Sequence, residues 1–411
     1  MRKKLSVLIV GFLIWNQAMG YGALSMRDLR LPKDFFPESP SATIDSVKEN
    51  PEFPGFLTFT VTAPHGSYTV QGLEDLRQCL HEIEVVEKLD AEKSTSGSVA
   101  TGAADSLKDT GRGLKNLVVH PVDSTKGIGK GVGKLGGKIG GVFRKKEEGE
   151  KTTMGESLMG STKRKLAKQL GVDVYSRNPY LQERLEKIAK AQMGGRGAVM
   201  VVQLFIPVGL IASAVLTVSG LNSAADELVN DNDKGDLFKL NEKALIKAGF
   251  TQEKVTQFLN HPYYTPRELT YLRFYFEKFQ GIPGFRTLMD AAIAVAPGVP
   301  AEKLLHELQI AADSMATPPE VTGIQLTGEG VVLERASTAV LITGYDYLDA
   351  SGFGKKTADQ AFALKLKLGK KALEIWSAGS MTTGFTMVLM TKGIQSRRMC
   401  FFGKAALAEQ P

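Results

Sequence analysis

Along this chain the spacing of apolar residues changes several times, and the changes divide it into units. Phe56 to Thr62 alternates apolar and polar, the period of a strand with one buried face. Pro64-His65-Gly66 is a turn, and Ser67 to Gln71 returns, so the pattern predicts a hairpin. Leu73, Leu76, Leu80, Ile83, Val86 and Leu89 then recur at helical spacing, which predicts an amphipathic helix over 73–93. His81-Glu82, with Glu84 and Glu87, reads as the solvated side of that helix. Ahead of the hairpin, residues 23–54 are rich in Pro, Ser and charge and read as an extended leader with little regular structure.

Residues 94–162 turn to Gly, Ser, Thr and Lys. Lys126, Lys130, Lys134 and Lys138 recur at every fourth position, interleaved with Ile128, Val132, Leu135 and Ile139. At about 100° per residue, the aliphatic set with Val142 and Phe143 falls within an arc of about 100°, opposite the lysines. That is a basic amphipathic helix in pattern. The same stretch holds Gly127, Gly129, Gly131, Gly133, Gly136, Gly137, Gly140 and Gly141. Each weakens a helix by about 1 kcal/mol relative to Ala, so such a helix needs a membrane surface or a packed partner. A flexible Gly/Lys linker is the alternative.

Lys163 to Met193 reads as a polar helix broken near Asn178-Pro179. Gly197 to Ala225 carries no charge, and Ala198 to Leu221 is long and apolar enough to span a bilayer. Pro207 and Gly209 near its middle also suit a buried or membrane-inserted hairpin. Export would leave the basic flank outside, against the positive-inside rule, which favours the hairpin over a span. From Asp236 to Ala316 the chain reads as short helices. Thr265-Pro266-Arg267-Glu268 is a capping box with Pro at the first helical position. Tyr263, Tyr264, Tyr271, Phe274, Tyr275, Phe276 and Phe279 make this module aromatic; core is the first reading and a protein-partner groove the second. Val321 to Tyr347 is β-type with a turn at Gly328 and Gly330. The polar stretch Ser351 to Lys371 receives no element. Leu373 to Ser377, a helix capped by Ser380 or Thr382, and Ile394 to Cys400 make a β-α-β unit. The whole is an α+β fold, mainly helical. It comprises an N-terminal hairpin plus helix, a central Gly-rich amphipathic and hydrophobic helical region, a helical module (236–317), and a small C-terminal α/β element.

The first 22 residues set the compartment. Arg2, Lys3 and Lys4 precede the apolar run Leu5 to Trp15, and Ala18, Gly20 and Gly22 follow, the order of a secretory signal. Cleavage is expected before Tyr21, and the mature chain belongs in the periplasm or cell envelope. Of the net charge of +7, Lys108 to Arg196 alone contributes +11, from 20 Lys+Arg against 9 Asp+Glu, so the remainder sums to −4. A local anionic partner follows: a membrane surface or envelope component, with nucleic acid not expected. An exported chain with two cysteines, Cys79 and Cys400, invites a disulfide; two buried free thiols are the alternative.

No catalytic motif stands out. Gly131-Val-Gly133-Lys-Leu-Gly136 matches a dinucleotide fingerprint by letter, but no strand precedes it. The five histidines, His65, His81, His120, His261 and His306, have no metal-ligand spacing. His306-Glu307 reads as another exposed face. No cofactor is implied, and the balance leans away from an enzyme. Two segments carry a resemblance: Gly113-Leu-Lys115 through His120-Pro121 to Lys126-Gly-Ile-Gly129, and Gly171-Val-Asp-Val-Tyr-Ser-Arg-Asn178-Pro179. They resemble a group of exported bacterial proteins to which no activity or site attaches. The Gly-rich basic stretch is also similar, in its glycines, lysines and aliphatics alone, to segments of membrane-associated lipid-handling proteins. The reading is an exported structural or interaction protein contacting a membrane or anionic envelope partner through residues 108–221. An envelope enzyme with a non-contiguous site, or an anionic polymer-binding protein, is the alternative.

Overall fold

A computed structural model of the chain describes residues 36–95, 117–118, 154–193, 220–315 and 319–398. The first sheet holds β1 (Thr43–Glu49), β2 (Leu57–Ala63), β3 (Gly66–Gln71) and the short β4 (Leu117–Val118), in that order. The hairpin β2–β3 pairs in register from Thr58↔Gln71 to Ala63↔Gly66. Leu57, Phe59, Val61, Tyr68 and Val70 point inward, while Thr58, Thr60 and Thr62 make the outer face. β1 lies inside the stretch expected to be an unstructured leader. It pairs antiparallel with β2 through hydroxyl contacts such as Ser46 Oγ to Thr60 Oγ1 at 3.0 Å. Val47 is its one buried residue, so it is an edge strand with almost no apolar signal.

The helices follow: α1 (Leu73–Thr95), α2 (Met154–Leu170), α3 (Pro179–Met193), α4 (Gly220–Asp231), α5 (Lys234–Lys247), α6 (Gln252–Leu259), α7 (Pro266–Lys278), α8 (Phe285–Ala294) and α9 (Val299–Ser314). The capping box of α7 is formed: Glu268 N–H donates to Thr265 Oγ1, and Thr265 N–H donates to Glu268 Oε2. Tyr263, Tyr264, Tyr271, Tyr275, Phe276 and Phe279 are buried and Phe274 is half-buried, so the aromatic module fills the core. Among the described residues no helix is long and apolar enough to cross a membrane. Of the apolar stretch Ala198–Leu221, residues 198–219 lie outside the described residues, and Gly220 and Leu221 open α4.

Helix directions converge at one end of the body. Asn178, just ahead of α3, lies beside Glu82 of α1, and Arg184 of α3 pairs with Asp90 of α1 at 2.8 Å. α1 and α3 therefore run the same way. α2 and α3 form an antiparallel hairpin, bridged by Lys163 Nζ on Gln182 Oε1. Thr95, Met154 and Met193 thus share one end. Between Thr95 and Met154, Leu117–Val118 pair with β3.

The second large sheet has the order β11-β9-β7-β6-β5. β5 (Val321–Leu326), β6 (Val331–Arg335) and β7 (Thr338–Thr343) are antiparallel neighbours; β7, β9 (Ala372–Ser377) and β11 (Ile394–Arg398) are parallel. α10 (Gly352–Leu368) and α11 (Thr383–Thr391) make the two crossovers. Alternate residues serve opposite faces. Ala339 and Leu341 pack with Ala358, Ala361, Phe385 and Leu389, whereas Val340 and Ile342 join the main core with α9. The β-α-β unit is present and Thr382 caps its helix, accepting from Phe385 N–H at 3.1 Å. α10 occupies the polar stretch that carried no expected element. Glu307 on α9 is buried rather than exposed, paired with Lys303 and accepting from Gly344 N–H at 3.0 Å.

Two short strands, β8 (Tyr347–Leu348) and β10 (Ser380–Met381), pair beside this sheet. The loop between β7 and β8 joins the two ends of the chain. Asp346 Oδ2 accepts from Leu57 N–H and Oδ1 from Leu73 N–H, both at 2.9 Å. Gly55 C=O accepts in turn from Asp346 and Tyr347 N–H. Gly55 has φ +86°, and a Cβ there would lie 2.8 Å from the Phe353 ring, so only glycine fits the joint.

Candidate functional site

The segment 171–179, one of the two that carried the resemblance, forms the wall of the site. Gly171 ends α2 at φ +66°. Val172 N–H reaches back to Ala167 C=O and Gly171 N–H to Lys168 C=O, a Schellman ending that needs a left-handed residue. Asp173 Oδ1 accepts from Tyr175 N–H at 2.8 Å, Ser176 Oγ accepts from Asn178 N–H at 3.0 Å, and Asn178 Oδ1 caps α3 through Tyr180 N–H at 3.1 Å. Gln182 Nε2 donates to Val174 C=O and Ser176 C=O. Each polar residue type in the segment therefore closes a turn, which makes the loop stiff and presents Asp173, Ser176 and Asn178 inward.

Two cavities, of about 210 Å³ and about 30 Å³, lie between this loop and α1, and they share Gln78, Glu82 and Asp173 as walls. The larger continues to α4 and α7, where Asp226 and Arg267 line it, with Lys168 and Asn230 at its rim. Arg267 is committed: its Nε and Nη2 donate to Asp226 at 2.8 and 3.2 Å, Tyr271 Oη donates to the same carboxylate at 2.6 Å, and the guanidinium stacks on the Tyr271 ring. Arg177 is committed as well. It donates to both oxygens of Glu268 at 2.8 Å and to Tyr263 C=O at 3.0 Å, and it lies over the Tyr263 ring. These two clamps fix the start of α7 against the loop.

His81 and Glu82 are both 3% exposed, which overturns their expected place on a solvated face. The 171–179 loop lies over this part of α1, with Gly171 on His81 and Ser176 beside Glu82. His81 donates from Nε2 to Gly171 C=O at 3.0 Å, and burial pulls its pKa down, so the ring is neutral. Glu82 accepts from Gln78 Nε2 at 2.9 Å. Burial pushes its carboxyl up to about 7, with Ser176 and Gln78 opposing the shift. Asp173 is raised too, by burial first, with Arg267 opposing. Cys79 lies in the small cavity's wall and its thiol is pushed well up by burial and then by Glu82 and Asp75, so it is protonated at neutral pH. Glu87, expected on the same solvated side, is part-buried: it accepts from His65 Nδ1 at 2.7 Å, and His65 Nε2 meets Tyr68 Oη on β3.

The Asn178 amide nitrogen, buried in the small cavity's wall, opposes the raised pKa of both Glu82 and Tyr68 yet completes a full hydrogen bond with neither. The site thus combines the carboxyl groups of Glu82 and Asp173 with an amide donor whose bonding is incomplete. Among the described residues no group of His, Cys, Asp and Glu is arranged to hold a metal ion. Lys126, Lys130, Lys134, Lys138, Ile128, Val132, Leu135 and Ile139, and also Cys400, lie outside the described residues. Cys79 is buried in α1. No protein-family model, curated protein or solved structure matches the chain.

Proposed function

We propose that the chain is an exported, envelope-associated interaction protein that seats a folded body on an anionic membrane surface through residues 108–221. One observation carries the reading: Thr95, Met154 and Met193 gather at one end of the body. In sequence the basic Gly-rich stretch lies between Val118, paired on β3, and Met154, and the uncharged stretch follows Met193. The basic segment therefore ends, and the uncharged segment begins, on the same side, as a shared surface contact requires. Their chemistries complement each other, since the lysines suit phosphate headgroups and the apolar run suits the acyl boundary.

Sedimentation of the full chain with vesicles tests this. Phosphatidylglycerol vesicles should retain it and phosphatidylcholine vesicles should not. Changing Lys126, Lys130, Lys134 and Lys138 to Gln should weaken binding by about 4 kcal/mol at low salt, at about 1 kcal/mol per Lys. Equal retention on both vesicles, or on neither, refutes the proposal. A second reading, an envelope enzyme, draws support from Glu82 alone: an enclosed carboxyl group titrating near neutrality is what a general acid needs.

A further inference from the structure

The geometry points to the two adjoining cavities beneath the 171–179 loop as a binding site for a small polyhydroxylated molecule, of the size of a single sugar ring. This does not rest on the membrane reading. The larger cavity, about 210 Å³, is several times the roughly 30 Å³ share of one water and lies below the range of about 300–1,000 Å³ that holds drug-sized ligands. Its walls are rigid, because the loop's polar groups are spent on its own turns and the Arg177 and Arg267 clamps hold α7 in place.

What faces the space is a mixed set of hydrogen-bonding groups. Glu82 and Asp173 offer carboxyl oxygens, while Gln78 and Asn230 offer planar amides. The independent sign of a ligand is Asn178, 1% exposed, whose amide nitrogen borders the small cavity without a full hydrogen bond. A buried donor left unmade costs about 1–3 kcal/mol. An ammonium ligand would satisfy the carboxyl groups and leave Asn178 unpaired, because an ammonium has no acceptor. A bare anion would satisfy Asn178 and meet Glu82 and Asp173. A hydroxyl donates and accepts, so adjacent hydroxyls on one ring serve both neighbours at once. The three cations lining or clamping the site, Lys168, Arg177 and Arg267, already face Asp231, Glu268 and Asp226, which leaves no strong attraction for an anionic group.

Ligand-observed saturation-transfer NMR on the full chain tests the assignment, with D-glucose, D-galactose and myo-inositol as probes and ethanolamine and inorganic phosphate as controls. At least one polyol should give a saturable signal that the others compete away. Glu82→Gln should weaken it about tenfold, and Asn230→Trp, at the cavity rim, should abolish it. Both variants should keep the parent circular-dichroism spectrum; Glu82→Gln reads the binding chemistry even where the bulkier change disturbs folding. Saturable binding of ethanolamine or phosphate alone overturns the inference, as does a polyol signal unchanged by Glu82→Gln. Absence of saturable binding by every probe assigns the space to water and also overturns it.

Discussion

Replacing Glu82 by Gln removes a carboxyl group that α1 holds in the interior, while preserving its shape and its bond from Gln78. In the unfolded chain this group ionises near its usual 4.5; in the fold it keeps its proton to about 7. Between those values the native state binds more protons than the unfolded state, so stability falls as pH rises through the window, and the deficit persists above it. At about 1.36 kcal/mol per pH unit, the full shift is worth about 3 kcal/mol. The Gln variant has no such proton. It should match the parent near pH 4.5 and exceed it by about 3 kcal/mol at pH 8.5. Urea denaturation followed by circular dichroism at several pH values measures the gap. A gap that stays constant with pH, or a variant less stable than the parent at pH 8.5, refutes the assignment of a destabilised carboxylate at this position.

Asp346→Ala should lower stability by about 3 kcal/mol, since it strips the acceptor from Leu57 and Leu73 N–H at about 1–3 kcal/mol each; hydrogen exchange should accelerate at both amides, and a loss below about 1 kcal/mol counts against the joint. Arg177→Lys should cost about 2 kcal/mol, because an ammonium cannot span both oxygens of the half-buried Glu268; a double-mutant cycle with Glu268→Gln reads the coupling, and additivity would deny the clamp. Cys79 should resist iodoacetamide at pH 8 until the chain unfolds; mass spectrometry without reductant reports at the same time whether it pairs with Cys400, and rapid labelling of the folded chain contradicts the raised thiol.

Elements with large apolar residues at regular spacing were legible in the sequence. The hairpin and α1 follow from such spacing, and the start of α7 and the helix of the last β-α-β unit from their capping residues. α10 did not, because its buried face is built from Gly354, Thr357, Ala358 and Ala361, which carry little hydrophobic signal among its lysines. β1 was hidden for a related reason: one buried valine among polar residues reads as a leader. The site was half legible. Segment 171–179 stood out as a motif, yet its turn-closing side chains and its position against Glu82 depend on α1, α4 and α7 arriving from distant parts of the chain. His81 and Glu82 were assigned outward because a polar pair on a helix ordinarily faces water; the 171–179 loop covers that side, and no local pattern in α1 announces it.

The Asp346 joint has a consequence for the order of assembly. Its two bonds link residues separated by 289 and 273 positions. Synthesis from the N-terminus produces the hairpin and α1 first, but their mooring is made only when most of the polypeptide exists. Until then Leu57 and Leu73 lack their native acceptor, and Gly55 lacks the loop that closes over it. Closing so long a loop is a slow event compared with forming a hairpin or a helix. A nascent chain that cannot lock its first third before its last third emerges stays loose while it is being made.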